Sequence, residues 1–225
     1  FSLEAMVKPS STSACGYCSV ISKENEFLLS LNNGANIGST GLNFQISYAL
    51  MPNYGSGWGW VSTGVSVPAD EWSHIAMVKS GSQVLIYLNG SLVYNSISAT
   101  SFTPQILPAG GFSNPTTITS NTTTMFTIGA RNVGTGLTPS TFFVGSIDEV
   151  HVYSTAISAS QISNDISGAT PCSTSGLMAY WDFNEGSGTT NYNSCALTAA
   201  IGTSTYDLTM VSAPTFTDAK NSSTV

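Results

Sequence analysis

Apolar and polar residues alternate with a period of two along much of this chain, the pattern of strands that bury one face. Phe1, Leu3, Ala5 and Val7 share one face of a first strand, which stops at Pro9 and a Ser/Thr-rich loop. Residues 27–31 read as a second strand ended by Asn32-Asn33-Gly34, and Leu42, Phe44, Ile46 and Tyr48 alternate in a third. Further strands are predicted over 60–67, 72–78 and 84–88. Asn89-Gly90 then precedes Ser91 to Tyr94. Asn-Gly accepts the two positive φ angles of a type I′ turn, so this segment is predicted to be a hairpin. Strand patterning returns over 125–130, 142–153 and 177–183, whereas 98–122 is rich in Pro, Thr and Asn and reads as one long loop. The one helical signal is a capping box, Ser158 to Gln161, opening a turn or two through Ile162. Many short strands and almost no helix predict a sandwich or barrel.

Composition narrows the setting. The chain has 225 residues, 41% of them hydrophobic, enough for one large core. Charged residues are 8%, against roughly 25% in ordinary soluble domains. Ser, Thr, Asn and Gly occupy the polar positions instead, which suits an extracellular surface. The net charge is −7 with five Lys plus Arg, too few cations to release counterions from a nucleic acid. No apolar run reaches the roughly 20 residues a membrane-spanning helix needs, so no membrane insertion is expected. Phe1 reads as a position inside a domain, so the chain is expected to be a mature or truncated form. Cys15, Cys18, Cys172 and Cys195 read as two disulfides, with three pairings open. Bridges from the first two to the last two would tie the chain's ends together and stabilise most.

Several stretches together resemble the laminin-G-like, concanavalin-A-like lectin and glucanase family. They are Phe1-Ser-Leu-Glu-Ala-Met-Val-Lys-Pro-Ser, Glu71-Trp-Ser-His-Ile-Ala, Val84-Leu-Ile-Tyr-Leu-Asn-Gly, Ile128-Gly-Ala-Arg, and Phe143-Val-Gly-Ser-Ile-Asp-Glu-Val-His-Val-Tyr. The resemblance spans residues 1–165 and implies an all-β fold, an antiparallel two-sheet jelly-roll sandwich with one short helix near 158–164. Leu177-Met-Ala-Tyr-Trp-Asp-Phe-Asn-Glu-Gly resembles the family's first strand, yet it comes last here. The expected layout is a sandwich body at 1–170, a linker at 171–176, and a segment at 177–225. That segment completes its own sandwich or a neighbouring subunit's, or the chain is a slice of a tandem array.

Candidate chemistry is sparse. Hydrolases of the resembled family carry paired carboxylates on one strand, and Asp148-Glu149 is the nearest pair here. Consecutive strand residues face opposite sides, so no catalytic pair and no enzyme are predicted. His74 and His151 read as structural histidines. The resemblance also implies calcium, for which Asp148, Asp182 and Glu185 supply hard oxygens. Tyr54, Trp58 and Trp60, set among glycines, are the candidate sugar-stacking rings, with core as the default for Trp60. Asn89, Asn121 and Asn221 head N-glycosylation triplets, Asn121 being the favoured acceptor in its polar loop. The leading expectation is a non-catalytic extracellular structural or adhesive module. It would be a homo-oligomer or sit among tandem neighbours, in a filament or surface layer. The alternative is a lectin-like module that binds glycans.

Overall fold

A computed structural model describes residues 1–12, 16–32, 44–51, 59–98, 103–104, 113–118, 120–195 and 206–211. In chain order its strands are β1 (Ser2–Pro9), β2 (Cys18–Lys23), β3 (Phe27–Asn32), β4 (Gln45–Leu50), β5 (Gly59–Ser66), β6 (Ser73–Ser80), β7 (Gln83–Leu88), β8 (Ser91–Asn95), β9 (Thr103–Pro104), β10 (Phe126–Ile128), β11 (Arg131–Asn132), β12 (Pro139–Ser140) and β13 (Gly145–Tyr153). Helix α1 (Ala159–Ile166) follows, then β14 (Leu177–Trp181), β15 (Thr190–Asn191) and β16 (Leu208–Thr209). One large sheet has the order β14-β13-β1-β6-β7-β8 and the other β10-β2-β3-β4-β5-β9. Neighbouring strands in both are antiparallel.

Alternation decides which side chains meet between the sheets. Leu3, Ala5 and Val7 of β1 join Ile75 and Met77 of β6 in the main core, against Leu29 and Leu31 of β3 and Ile46 and Tyr48 of β4. The other face of the first sheet carries α1, whose Ile162 packs on Ala76, Val78 and Tyr87. Ser158 caps α1 by accepting a hydrogen bond from the Gln161 backbone N–H at 3.1 Å. The predicted capping box is half built, because the Gln161 side chain turns to Asp165 and Thr170 instead, at 2.9 Å each. Ser158→Ala is expected to cost about 1 kcal/mol in urea denaturation, the usual worth of such a cap.

β14 pairs with β13 of its own chain, His151 opposite Tyr180 and Val150 opposite Trp181. Trp181 is buried in the main core and stacks on Phe126 at 5.7 Å. The far edge of β14 is covered. Ser194 N–H donates to the Tyr180 carbonyl at 2.7 Å, and Tyr180 N–H donates to Asn193 Oδ1 at 3.0 Å.

The sequence pattern missed β2, because a bulge between Ser19 and Ile21 interrupts its alternation. Within the stretch read as one long loop, Thr103–Pro104 pairs with β5. Cys172 bonds to Cys195. Cys18 is also disulfide-bonded, and Cys15 lies outside the described residues. The C-terminal pair therefore closes a local loop and does not tie the tail to the first hairpin.

Candidate functional site

Two faces of the sandwich carry polar side chains away from solvent. The first lies under α1, on the outer side of the first sheet, where Glu4, His74, His151, Tyr153 and Asp165 are all buried. Asp165 accepts hydrogen bonds from the Tyr153 hydroxyl at 2.9 and 3.0 Å, from Gln161 Nε2 at 2.9 Å, and from Thr170 Oγ1. Burial pushes the Glu4 carboxyl up to about 10, and hydrogen bonding to Asp165 and its charge add to the push. As an ion, Glu4 has no hydrogen-bond donor on either oxygen. As an acid it donates to Asp165. Burial would raise Asp165 too, but hydrogen bonds from Glu4 and Thr170, the neighbouring His151 and the Gln161 amide hold it below the usual range. His151 stacks on Tyr180 at 4.2 Å, and burial lowers its pKa. This cluster clamps α1 to the sheet.

At Asp148 and Glu149 the alternation that assigned them opposite faces does not hold. Glu149 sits at φ +49° where β13 bulges against β1, so simple alternation fails there. Its Oε2 accepts the Tyr180 hydroxyl, and Asp148 Oδ1 accepts the Glu149 N–H at 2.9 Å.

The acidic residues expected to hold calcium make local hydrogen bonds. Asp182 Oδ1 accepts Asn184 N–H at 3.3 Å, and Glu185 Oε1 accepts Tyr192 N–H at 2.7 Å. Among the described residues no three His, Cys, Asp or Glu side chains converge as metal ligands.

The second polar face is the outer side of the second sheet, and pairing register builds it in rows. Ser19, Ser30, Ser47 and Ser62 are consecutive partners across β2, β3, β4 and β5. On one side of this serine row run Ser22, Leu28, Ala49 and Trp60. On the other run Asn32, Gln45 and Ser66. Trp60 packs on Leu28 and Ala49, with Tyr17 5.2 Å away ring to ring at 52°. Ser62 donates to Gln45 Oε1 at 2.8 Å and Ser30 to Asn32 Oδ1 at 3.1 Å. Asn32 Nδ2 and the hydroxyls of Ser47, Ser66 and Ser22 are buried with no hydrogen-bond partner. A buried polar atom left unpaired costs roughly 1–3 kcal/mol. All these side chains are neutral.

Of the three candidate rings, Trp60 therefore stands on the outer face and not between the sheets, while Tyr54 and Trp58 lie outside the described residues. Asn89 holds the β7–β8 turn at φ +49°, followed by Gly90 at +78°, and its Oδ1 accepts the His74 N–H at 2.8 Å. Asn121, the favoured glycan acceptor, is 8% exposed, and its Nδ2 is enclosed. A glycan there would have to displace that packing. Asn221 lies outside the described residues.

The family described as the concanavalin A-like lectin/glucanases superfamily matches residues 1–106 and 107–163. No curated protein matches the chain. A Bacteroides ovatus structure, provisionally described as a carbohydrate binding protein, shares 16% identity at a TM-score of 0.59. The match covers 86% of this chain and 48% of that one, so this chain spans about half its length. A carbohydrate-binding module of a Ruminococcus gnavus sialidase matches at 18% identity and TM-score 0.45, over 71% of this chain and 78% of that one. A Limulus polyphemus pentraxin matches at 17% and 0.43, over 76% and 70%. At these identities the likeness is one of fold.

Proposed function

The chain belongs to the concanavalin A-like lectin/glucanase superfamily, and on that premise we propose that it is a lectin-like, non-catalytic module that binds neutral glycans. The serine and amide rows of the second sheet carry this reading, because their unpartnered atoms match what a sugar presents. Each sugar hydroxyl both donates and accepts, and its C–H face packs on an aromatic ring. Asn32 Nδ2 and Ser47 Oγ are the polar contacts on this reading, reached by a sugar only when the chain that buries them moves aside, with Trp60 and Tyr17 at one end of the face. The neutrality of the rows and the chain's net charge of −7 favour uncharged sugars over acidic ones. An extracellular setting is supported by the Cys172–Cys195 bridge.

The test is a glycan array followed by calorimetry on the strongest neutral hit. The double variant Asn32→Ala/Ser47→Ala is expected to bind roughly 5- to 150-fold more weakly, since each lost hydrogen bond costs roughly 0.5–1.5 kcal/mol. Incubation with the bound glycan is expected to release no new reducing ends. Unchanged affinity in the double variant would remove the face from the mechanism, and turnover would make the protein an enzyme.

A further inference from the structure

The geometry points to a proton-dependent latch: α1 and the turn after it lift from the outer face of the first sheet as a unit when the proton held between Glu4 and Asp165 is lost. Lifting bares an apolar strip that the helix otherwise covers.

The lifting segment has fixed ends. Before it, the Ile157 N–H donates to Ser2 Oγ at 3.1 Å, and that hydroxyl donates to the Thr155 carbonyl at 2.9 Å. After it, Cys172 is bridged to Cys195, and the Ser154 N–H donates to the Gly176 carbonyl at 2.8 Å. Between these anchors the helix satisfies its own ends. Ser158 caps the start, and at the finish the Ala169 N–H donates to the Asn164 carbonyl at 2.9 Å past Gly168 at φ +70°. The segment therefore keeps its backbone bonds when it moves.

Two kinds of tie hold it to the sheet among the described residues. Ile162, with Ile157 and Ile166, packs on Ala76, Val78, Leu85 and Tyr87. Asp165 holds the Tyr153 hydroxyl and Glu4. Register puts both ties in reach of one row, because Glu4, Ala76, Tyr87 and Leu92 are consecutive partners across β1, β6, β7 and β8. Ala76 and Tyr87 are buried, and Leu92 at the end of the row is 51% exposed. Lifting α1 extends that exposed apolar surface inward along the row.

Loss of the proton sets two carboxylates against each other beneath the helix. The groups facing Glu4 are His74 of β6, 3.9 Å from its Oε1, His151 and Tyr153 of β13, and Asp165 of α1. One strand further on, the Tyr180 hydroxyl of β14 donates to Glu149. Burial lowers the pKa of His151, so it supplies no positive charge above its ordinary 6.5. The Tyr153 hydroxyl is already given to Asp165. With α1 seated, burial pushes the Glu4 carboxyl up to about 10, and with α1 lifted it returns to its ordinary 4.5. Between those values seating takes up one proton, so the lifted fraction rises about tenfold per pH unit. Asp165, held below its ordinary 3.8 when seated, opposes seating only as pH falls below that value. The latch is thus tightest between 3.8 and 4.5.

The experiment is amide hydrogen exchange by NMR on the full chain from pH 5 to 8, read as protection factors corrected for intrinsic exchange. The amides of Ile162 and Asp165 are expected to be at least tenfold less protected than those of Met77 and Ile86 at every pH, with protection falling about tenfold per unit. Glu4→Gln is expected to flatten the slope, and His74→Gln to leave it. Carbon NMR of the Glu4 carboxyl in the wild-type chain is expected to show it protonated at pH 7, whatever the variants do. Helix amides as protected as Met77 and Ile86, a slope that survives Glu4→Gln or vanishes in His74→Gln, or an ionised Glu4 at pH 7 would overturn the latch. The glycan-binding face lies on the other sheet, so its test stands or falls separately.

Discussion

Glu4→Gln is expected to stabilise the fold by about 3 kcal/mol at pH 7 and to change nothing near pH 4.5. Glu4 is wholly buried under α1, and its carboxyl is pushed from 4.5 to about 10. Below 4.5 the folded and unfolded chains both hold the proton. Between 4.5 and about 10 only the folded chain holds it, so folding takes up a proton. Stability therefore falls as pH rises through that window, by about 1.4 kcal/mol per unit. Glutamine keeps a donor for Asp165 and needs no proton.

Asp165 works in the opposite sense. Its pKa is held below normal, so its contribution is present above the unfolded carboxyl range and lost as pH falls through the folded value. The groups facing the pair are His74 from β6, with Nε2 3.9 Å from Glu4 Oε1, and His151 and Tyr153 from β13. Urea denaturation from pH 4.5 to 9 checks the prediction. A wild-type profile as flat as the variant's would show that folding leaves the proton affinity of Glu4 unchanged.

Much of the scaffold was legible because each strand states its own pattern. Phe1, Leu3, Ala5 and Val7 announce β1, and Asn89-Gly90 announces the β7–β8 turn. What stayed hidden depends on pairing between distant segments. Ser19, Ser30, Ser47 and Ser62 each read alone as an ordinary polar position, and only the register of four strands makes them a row. Trp60 reads as core because it is apolar and begins a strand, but the pattern does not say which of two sheet faces is the inner one. Glu149 was assigned a face by alternation, which a bulge set by the partner strand suspends. The Glu4–Asp165 pair joins the first strand to the helix that follows β13, a contact no local pattern encodes.

Replacing both Cys172 and Cys195 with serine is expected to cost about 3 kcal/mol, the loop-closure worth of a bridge of this span, and to make the chain self-associate. The bridge anchors the segment at 193–195 along the outer edge of β14. There Asn193 and Ser194 satisfy the N–H and carbonyl of Tyr180, and Ser194 Oγ accepts the Asp182 N–H at 3.3 Å. With the anchor cut, ordering that segment is no longer favoured by loop closure, and β14 presents unpaired backbone groups beside the half-exposed Met178. An edge of that kind pairs with a second copy. Light scattering over a concentration series, with hydrogen exchange at Tyr180 and Ser194, reads both effects. A variant of unchanged mass whose Tyr180 and Ser194 amides stay protected would show that the hydrogen bonds hold the segment without the disulfide. The filament expected from the sequence needs an open strand edge, and this structure closes that edge with a bond stable in an oxidising medium. In such a medium the bridged chain is thereby kept from strand-to-strand assembly at β14.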